Sequence, residues 1–199
     1  MISQSQNRMT PEEYLAREAK AEYRSEYHNG EIFAMTGGSV NHNQIIFNTA
    51  KVFDRLLARK PCRVFMNDVR LQVQKSGLYT YPDVMVVCGK IEFAPKRDDT
   101  VLNPIVLVEV WSDSTKAYDQ GDKFKMYRQI PSLQEYVMID QTQAYVEHYR
   151  RDGHFWVFET LEQMDATLAL PSLGCEIPLM AMYEKVEWQS QQPNSAENK

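Results

Sequence analysis

The chain has 199 residues, 43% of them hydrophobic and 25% charged, with a formal net charge of −5 and a pI of about 5.4. That length accommodates one sizeable core and leaves little room for a second full domain. The acidic balance argues against a protein that grips nucleic acid by overall charge alone, although a divalent cation held by carboxylates would invert the local field where a phosphate must sit.

Residues 1–9 and the polar tail from Gln189 read as disordered, which leaves a single domain over 10–188. Thr10 caps a short helix starting at Pro11, a favoured first-turn residue, with Glu13 at the capping-box position. A hairpin turns at His28-Asn29-Gly30, because Asn-Gly accepts the positive φ angles of a tight turn, and its second strand is Glu31 to Met35. Gly37-Gly38 breaks the chain, and Ser39 caps a long helix to about Arg59 whose buried stripe is Ile46, Ala50, Phe53 and Leu57. Cys62 to Met66 and Val69 to Val73 read as strand, interrupted or bulged near Asn67-Asp68. Tyr81 to Val87 and Ile105 to Trp111 are continuous apolar runs, the pattern of strands buried on both faces. A second helix covers Asp119 to Arg128 and stops before Pro131. Glu135 to Ile139 and Ala144 to Arg150 are strands, and Asp152-Gly153 turns the chain into Phe155 to Phe158. The fold class is α/β (α+β mixed), a central mixed β-sheet flanked by helices.

The apolar stretches are far shorter than the ~20 residues a membrane helix requires. The opening MISQSQNRMT carries no apolar segment of a secretory signal, so a cytoplasmic protein without membrane attachment is expected. Cys62, Cys88 and Cys175 are odd in number and too widely spaced for a paired zinc motif. Cys62 and Cys88 lie in or beside apolar runs and read as buried, reduced thiols, which suits a reducing cytosol.

Glu109 is the first candidate for chemistry, because a carboxylate inside a buried strand is costly unless it is paired, protonated or bound to metal. Asp83 opens another apolar strand after Tyr81-Pro82. Each alone reads as an ordinary structural residue; two carboxylates on neighbouring central strands suit Mg²⁺ or Mn²⁺, with positions left for water and a phosphate oxygen. Hydrolysis of a phosphodiester also wants a cation beside the attacking water. The residue two beyond Glu109 on the same strand face is Trp111, which cannot serve. On the following helix Lys123 lies roughly 70° from the buried centre and Lys125 roughly 130°, so Lys123 is the better placed to reach inward, with a solvated surface lysine the equal alternative.

Tyr81-Pro82-Asp83-Val84, Pro104 through Glu109-Val110, Ser112-x-Ser114-Thr115, Asp119-x-Gly121-x-Lys123-Phe124 and Ile130-Pro131-Ser132-Leu133-Gln134-Glu135-Tyr136 resemble the Uma family of restriction-endonuclease-like proteins, within the PD-(D/E)XK superfamily. The likeness runs from Met9-Thr10-Pro11-Glu12-Glu13-Tyr14 to about Trp156 and takes in Asn29-Gly30-Glu31-Ile32 and Met35-x-Gly37-x-Ser39-x-x-His42. It implies a restriction-endonuclease-like core with Asp83 and Glu109 as metal ligands, and a superfamily lysine moved from strand to helix at Lys123. Two positions depart from the family pattern. Trp111 stands where leucine is usual and would crowd the site, and Asp113, where proline is usual, would add a peripheral carboxylate.

His42, three residues after the Ser39 cap, reads as a phosphate or water contact or, with slightly more weight, as a helix-end residue with a local hydrogen bond. Glu31 reads equally as a third acidic ligand or an exposed hairpin residue. Ser112, Ser114 and Thr115 fit a turn cap better than a phosphate contact. The aromatic hairpin of Tyr145, Tyr149, Phe155, Trp156 and Phe158 fits core or a subunit interface better than base stacking. The expected function is a Mg²⁺- or Mn²⁺-dependent endonuclease acting on nucleic acid, DNA in the first place. Asp83 and Glu109 bind metal, Lys123 orients water, Glu31 and His42 assist, and a homodimer follows by fold analogy. The rival is a catalytically silent binding or assembly module of the same fold, favoured by the acidic pI and the lack of a basic stripe.

Overall fold

The computed structural model describes residues 8–35, 37–112 and 115–188. The segments 1–7 and 189–199 expected to be disordered lie outside them, as do Asp113 and Ser114. Met9 is tied down: its N–H donates to Gly30 O at 3.2 Å, and its carbonyl accepts the Tyr27 hydroxyl at 2.8 Å.

Helix α1 is Pro11–Glu18, and its capping box is reciprocal. The Glu13 N–H donates to Thr10 Oγ1 at 3.2 Å, and the Thr10 N–H to the Glu13 carboxylate at 2.8 Å. The hairpin pairs β1 (Ser25–His28) with β2 (Glu31–Ala34) across Asn29 and Gly30, at φ 50° and 91°. Ser39 caps α2 (Val40–Leu57), and the stripe Ile46, Ala50, Phe53 and Leu57 is buried as its spacing demands.

Between β3 (Cys62–Met66) and β4 (Arg70–Val73) the chain is interrupted rather than bulged. Asn67, at φ 48°, turns the chain between them and they enter different sheets. The strand expected from Tyr81 starts only at Val84, because Tyr81-Pro82-Asp83 lies between β5 (Leu78–Thr80) and β6 (Val84–Cys88). After β7 (Thr100–Val101) and β8 (Val106–Trp111) the second helix has three parts: α3 (Lys116–Tyr118), a π-helical turn (Asp119–Lys123) and α4 (Phe124–Tyr127). β9 (Glu135–Asp140), β10 (Val146–Asp152) and β11 (Phe155–Leu161) follow, then β12 (Thr167–Leu170), β13 (Cys175–Pro178) and α5 (Leu179–Met182), which the sequence pattern did not announce.

The central mixed sheet has the order β11-β10-β9-β8-β6-β3, with β8 and β9 parallel. A second sheet has the order β2-β1-β5-β4-β7, and β12-β13 form a ribbon. Alternation along β8 divides the core. Val106, Val108 and Val110 join α2, the ribbon and α5 on one face, while Leu107 and Trp111 join the second sheet and α4 on the other. Each such side chain taken fully out of water contributes roughly 1.5–3 kcal/mol, which holds the layers together. Glu109 points to the second face, between the two sheets.

Cys62 and Cys88 sit opposite each other in the β3–β6 pairing and are joined as a disulfide. This corrects the expectation of buried, reduced thiols: both cysteines are half-buried, and the strand register that brings them together was not foreseen. The inference of a reducing compartment loses that support. Cys175 is free. Among the described residues no helix is long and apolar enough to cross a membrane.

Candidate active site

β6 and β8 are antiparallel neighbours with Val84 opposite Val108, so one further step of that register sets Asp83 level with Glu109. The Asp83 Oδ2 accepts the Val110 N–H at 2.7 Å, which fixes this carboxylate against the backbone of Glu109's strand. Asp83 is 8% exposed, Glu109 5% and Lys123 6%, and all three line one cavity of about 450 Å³.

Lys123 Nζ lies 3.0 Å from Glu109 Oε1, 3.1 Å from Glu26 Oε1 and 3.6 Å from Asp119 Oδ1. The inward alternative for Lys123 is the one adopted. Asp119 and Lys123, four apart on the π-helical turn, both face inward, whereas Lys125 is exposed and paired with Asp122 at 2.9 Å. Behind Glu109, the Tyr127 hydroxyl donates to the same Oε1 at 2.7 Å. Glu26 also accepts the Thr80 hydroxyl. His42 Nε2 is 3.4 Å from Asp83 Oδ2, while the His42 N–H donates to Ser39 Oγ at 3.0 Å. The local hydrogen bond expected at the helix end is present, and the imidazole also reaches Asp83. Gly38 is required beside it, since a Cβ there would collide with the imidazole.

Four of the five residues singled out in the sequence therefore meet: Asp83, Glu109, Lys123 and His42. Glu31 does not. It faces His28 at the turn end of the hairpin, exposed, and the cavity is reached instead by Glu26, near the other end of β1. Glu26 and Asp119 were missed as site residues. Glu26 is buried among residues distant in sequence, Thr80 on β5 and Lys123 on the π-helical turn, which leaves no local signature, whereas the i,i+4 spacing of Asp119 and Lys123 was a visible signal. Thr115 Oγ1 accepts the Ser112 N–H at 3.1 Å, the turn-capping arrangement. The Trp111 side chain is buried in the second core under Lys116, whose Nζ lies 4.1 Å from its ring centroid, and is not part of the cavity lining.

The charges are unbalanced: Glu26, Asp83, Glu109 and Asp119 face Lys123 and His42. Burial, with Asp83 and Asp119 nearby, pushes Glu109 up to about 8 against the opposing pull of Lys123. Asp119 is raised for the same chief reason, burial. Burial would lower Lys123, but Glu109 and Glu26 outweigh it and hold the ammonium well above its ordinary range. His42 is raised as well, its desolvation outweighed by the Asp83 carboxylate and the Val110 backbone. Glu109 and Asp119 rise chiefly through burial, whereas Lys123 and His42 rise because the carboxylates beside them outweigh burial.

Two carboxylate oxygens, Asp83 Oδ1 and Glu109 Oε2, take no hydrogen bond from the described residues. No group of three or more His, Cys, Asp or Glu side chains among the described residues forms a ready metal cage. One or two carboxylates completed by water and substrate oxygens are the usual protein contribution to a Mg²⁺ site, so the donor set fits that ion.

The family model described as "Uma2: Putative restriction endonuclease" matches residues 11–180. The chain belongs to the Uma2 family. Two proteins of Synechocystis sp. are similar to it. One, sll1609, is 40% identical over 145 residues, 73% of this chain and 82% of that one; the other, slr1290, is 33% identical over 177 residues, 88% and 92%. A crystal structure from Anabaena variabilis, described as "a putative nuclease belonging to DUF820", superposes with a TM-score of 0.71 at 19% identity, covering 86% of this chain and 96% of that one. At that identity the likeness shows the fold, and it is the mixed α/β nuclease fold expected from the sequence.

Proposed function

We propose that this Uma2 chain is a Mg²⁺- or Mn²⁺-dependent endonuclease that hydrolyses phosphodiester bonds of nucleic acid. The observation that carries the reading is the convergence of Asp83, Glu109 and Lys123 on one cavity. Asp83 and Glu109 are the residues that would hold the metal, and the shortage of positive charge around them favours a divalent cation. Such an ion, when bound, supplies Lewis-acid stabilisation of negative charge on a phosphate oxygen.

The remaining work falls to the chain's own groups. Tyr127 holds Glu109 from behind and the Val110 N–H holds Asp83, so both carboxylates keep their orientation without substrate. Lys123 stays protonated through neutral pH, and its donors orient the attacking water and offset the charge that grows on the phosphate as the P–O bond breaks. His42, held on Asp83, presents a second cationic N–H to a phosphate oxygen when protonated. Glu26 and Asp119 keep the Lys123 ammonium in place.

One observation favours the silent-module reading: Lys123 already neutralises part of the acidic set. Calorimetric titration with Mn²⁺ separates the two. Binding that Asp83→Asn abolishes, together with nucleic-acid cleavage that EDTA stops, is expected of the enzyme. Absence of Mn²⁺ binding, or binding indifferent to Asp83→Asn, contradicts it.

A further inference from the structure

The cavity at Asp83 and Glu109 has two unlike linings. One is ionic. The other is apolar and solvent-facing: Phe33, Met35 and Tyr118 line it while remaining 47%, 37% and 37% exposed. Large apolar groups left in water at the mouth of a polar site mark a surface that a ligand covers. The volume of about 450 Å³ falls in the roughly 300–1,000 Å³ range that encloses one small organic unit.

The reactive groups lie at the floor, nearly buried, so the phosphate must come to them. A duplex presents about one negative charge per 1.7 Å of axis and is held by several Lys or Arg contacts to its phosphates. Lys123 is the only Lys or Arg among the described residues lining the cavity, and its ammonium is shared by Glu26, Glu109 and Asp119. Among the described lining residues His42 is the one other cationic group, and it is already held on Asp83, so little is left to grip a second strand. A single strand bends at each nucleotide, so one phosphate can descend while a neighbouring base turns onto an aromatic face, and stacking of that kind tolerates any base.

We infer that the cavity takes single-stranded nucleic acid in preference to duplex, with a base against the Phe33, Met35 and Tyr118 lining and the adjoining phosphate over Asp83 and Glu109. The inference rests on the reading of this cavity as a phosphodiester site.

Fluorescence anisotropy of the full chain tests it, using end-labelled DNA and RNA oligonucleotides of one sequence, each single-stranded and as a blunt duplex, in EDTA and in Ca²⁺. Single strands are expected to bind more tightly than duplexes, and the DNA and RNA arms decide between the sugars. Phe33→Ala should weaken single-strand binding roughly 5- to 100-fold, the worth of one stacked base, while Phe33→Trp restores it. Phe155→Ala, at an aromatic residue 77% exposed on β11 and not among the cavity lining, should change nothing. Duplex bound as tightly as single strand, no loss with Phe33→Ala, or an equal loss with Phe155→Ala overturns the inference. Cleavage in Mn²⁺ is scored separately. Single strands bound in the expected pattern but left uncut overturn hydrolysis alone, whereas duplex cut faster than single strand overturns this inference and leaves hydrolysis standing.

Discussion

Lys123 Nζ sits 3.0 Å from Glu109 Oε1 and so joins the π-helical turn to the middle of β8. One ammonium serves three carboxylates from three elements, since Glu26 of β1 and Asp119 share it. Removing one partner of a buried ion pair leaves the other uncompensated, at a cost of roughly 3–5 kcal/mol. Lys123→Met is expected to lose about that much in urea denaturation at neutral pH. Glu109→Gln should lose less than Lys123→Met, because burial already raises the Glu109 carboxyl and the ammonium keeps Glu26 and Asp119 as partners. A larger loss in Glu109→Gln than in Lys123→Met would reverse the assignment of which charge the cluster lacks.

His148 is a further buried titratable group, outside the cavity lining. Its Nε2 is 2.8 Å from Glu135 Oε2 and its Nδ1 2.8 Å from Glu159 Oε1, so the ring clasps β9 and β11. Burial would lower its pKa, but the two carboxylates outweigh burial and raise it. Stability that depends on the protonated ring is therefore complete below about 6.5, the ordinary histidine value, and is lost as pH rises through the raised folded value. Thermal denaturation of wild type and His148→Gln across that interval should show their difference shrinking as pH rises. A difference that grows with pH contradicts the clasp.

The cysteines give a chemical check. Alkylation of the unfolded, unreduced chain should mark Cys175 alone, and alkylation after reduction should mark Cys62 and Cys88 too, as peptide mass spectrometry would show. Three labels without reductant would mean that the β3–β6 register leaves the thiols unbonded.

What the sequence disclosed was mostly local. Thr10 and Glu13, Ser39, and Asn29-Gly30 state their roles within four residues, and the α2 stripe repeats at a fixed period. Glu109 was legible because a carboxylate inside a valine run is an energetic anomaly. Glu26 was not, because Ser25-Glu26-Tyr27-His28 looks like any short hairpin strand until β5 pairs beside it and Lys123 of the π-helical turn reaches its carboxylate. Cys62–Cys88 depends on a register that no single strand encodes. The division of β3 from β4 rests on one residue at positive φ, Asn67, which reads equally well as a bulge.

The most direct test compares cleavage rates for a labelled nucleic acid in Mg²⁺ or Mn²⁺ by wild type, Glu109→Ala and Lys123→Ala, purified identically. Removing a group that acts in the transition state costs on the order of 10²-fold or more. Wild type should cut only with metal, with both variants slower by at least that factor. Equal rates in the three preparations would assign the cutting to a contaminant and contradict the site.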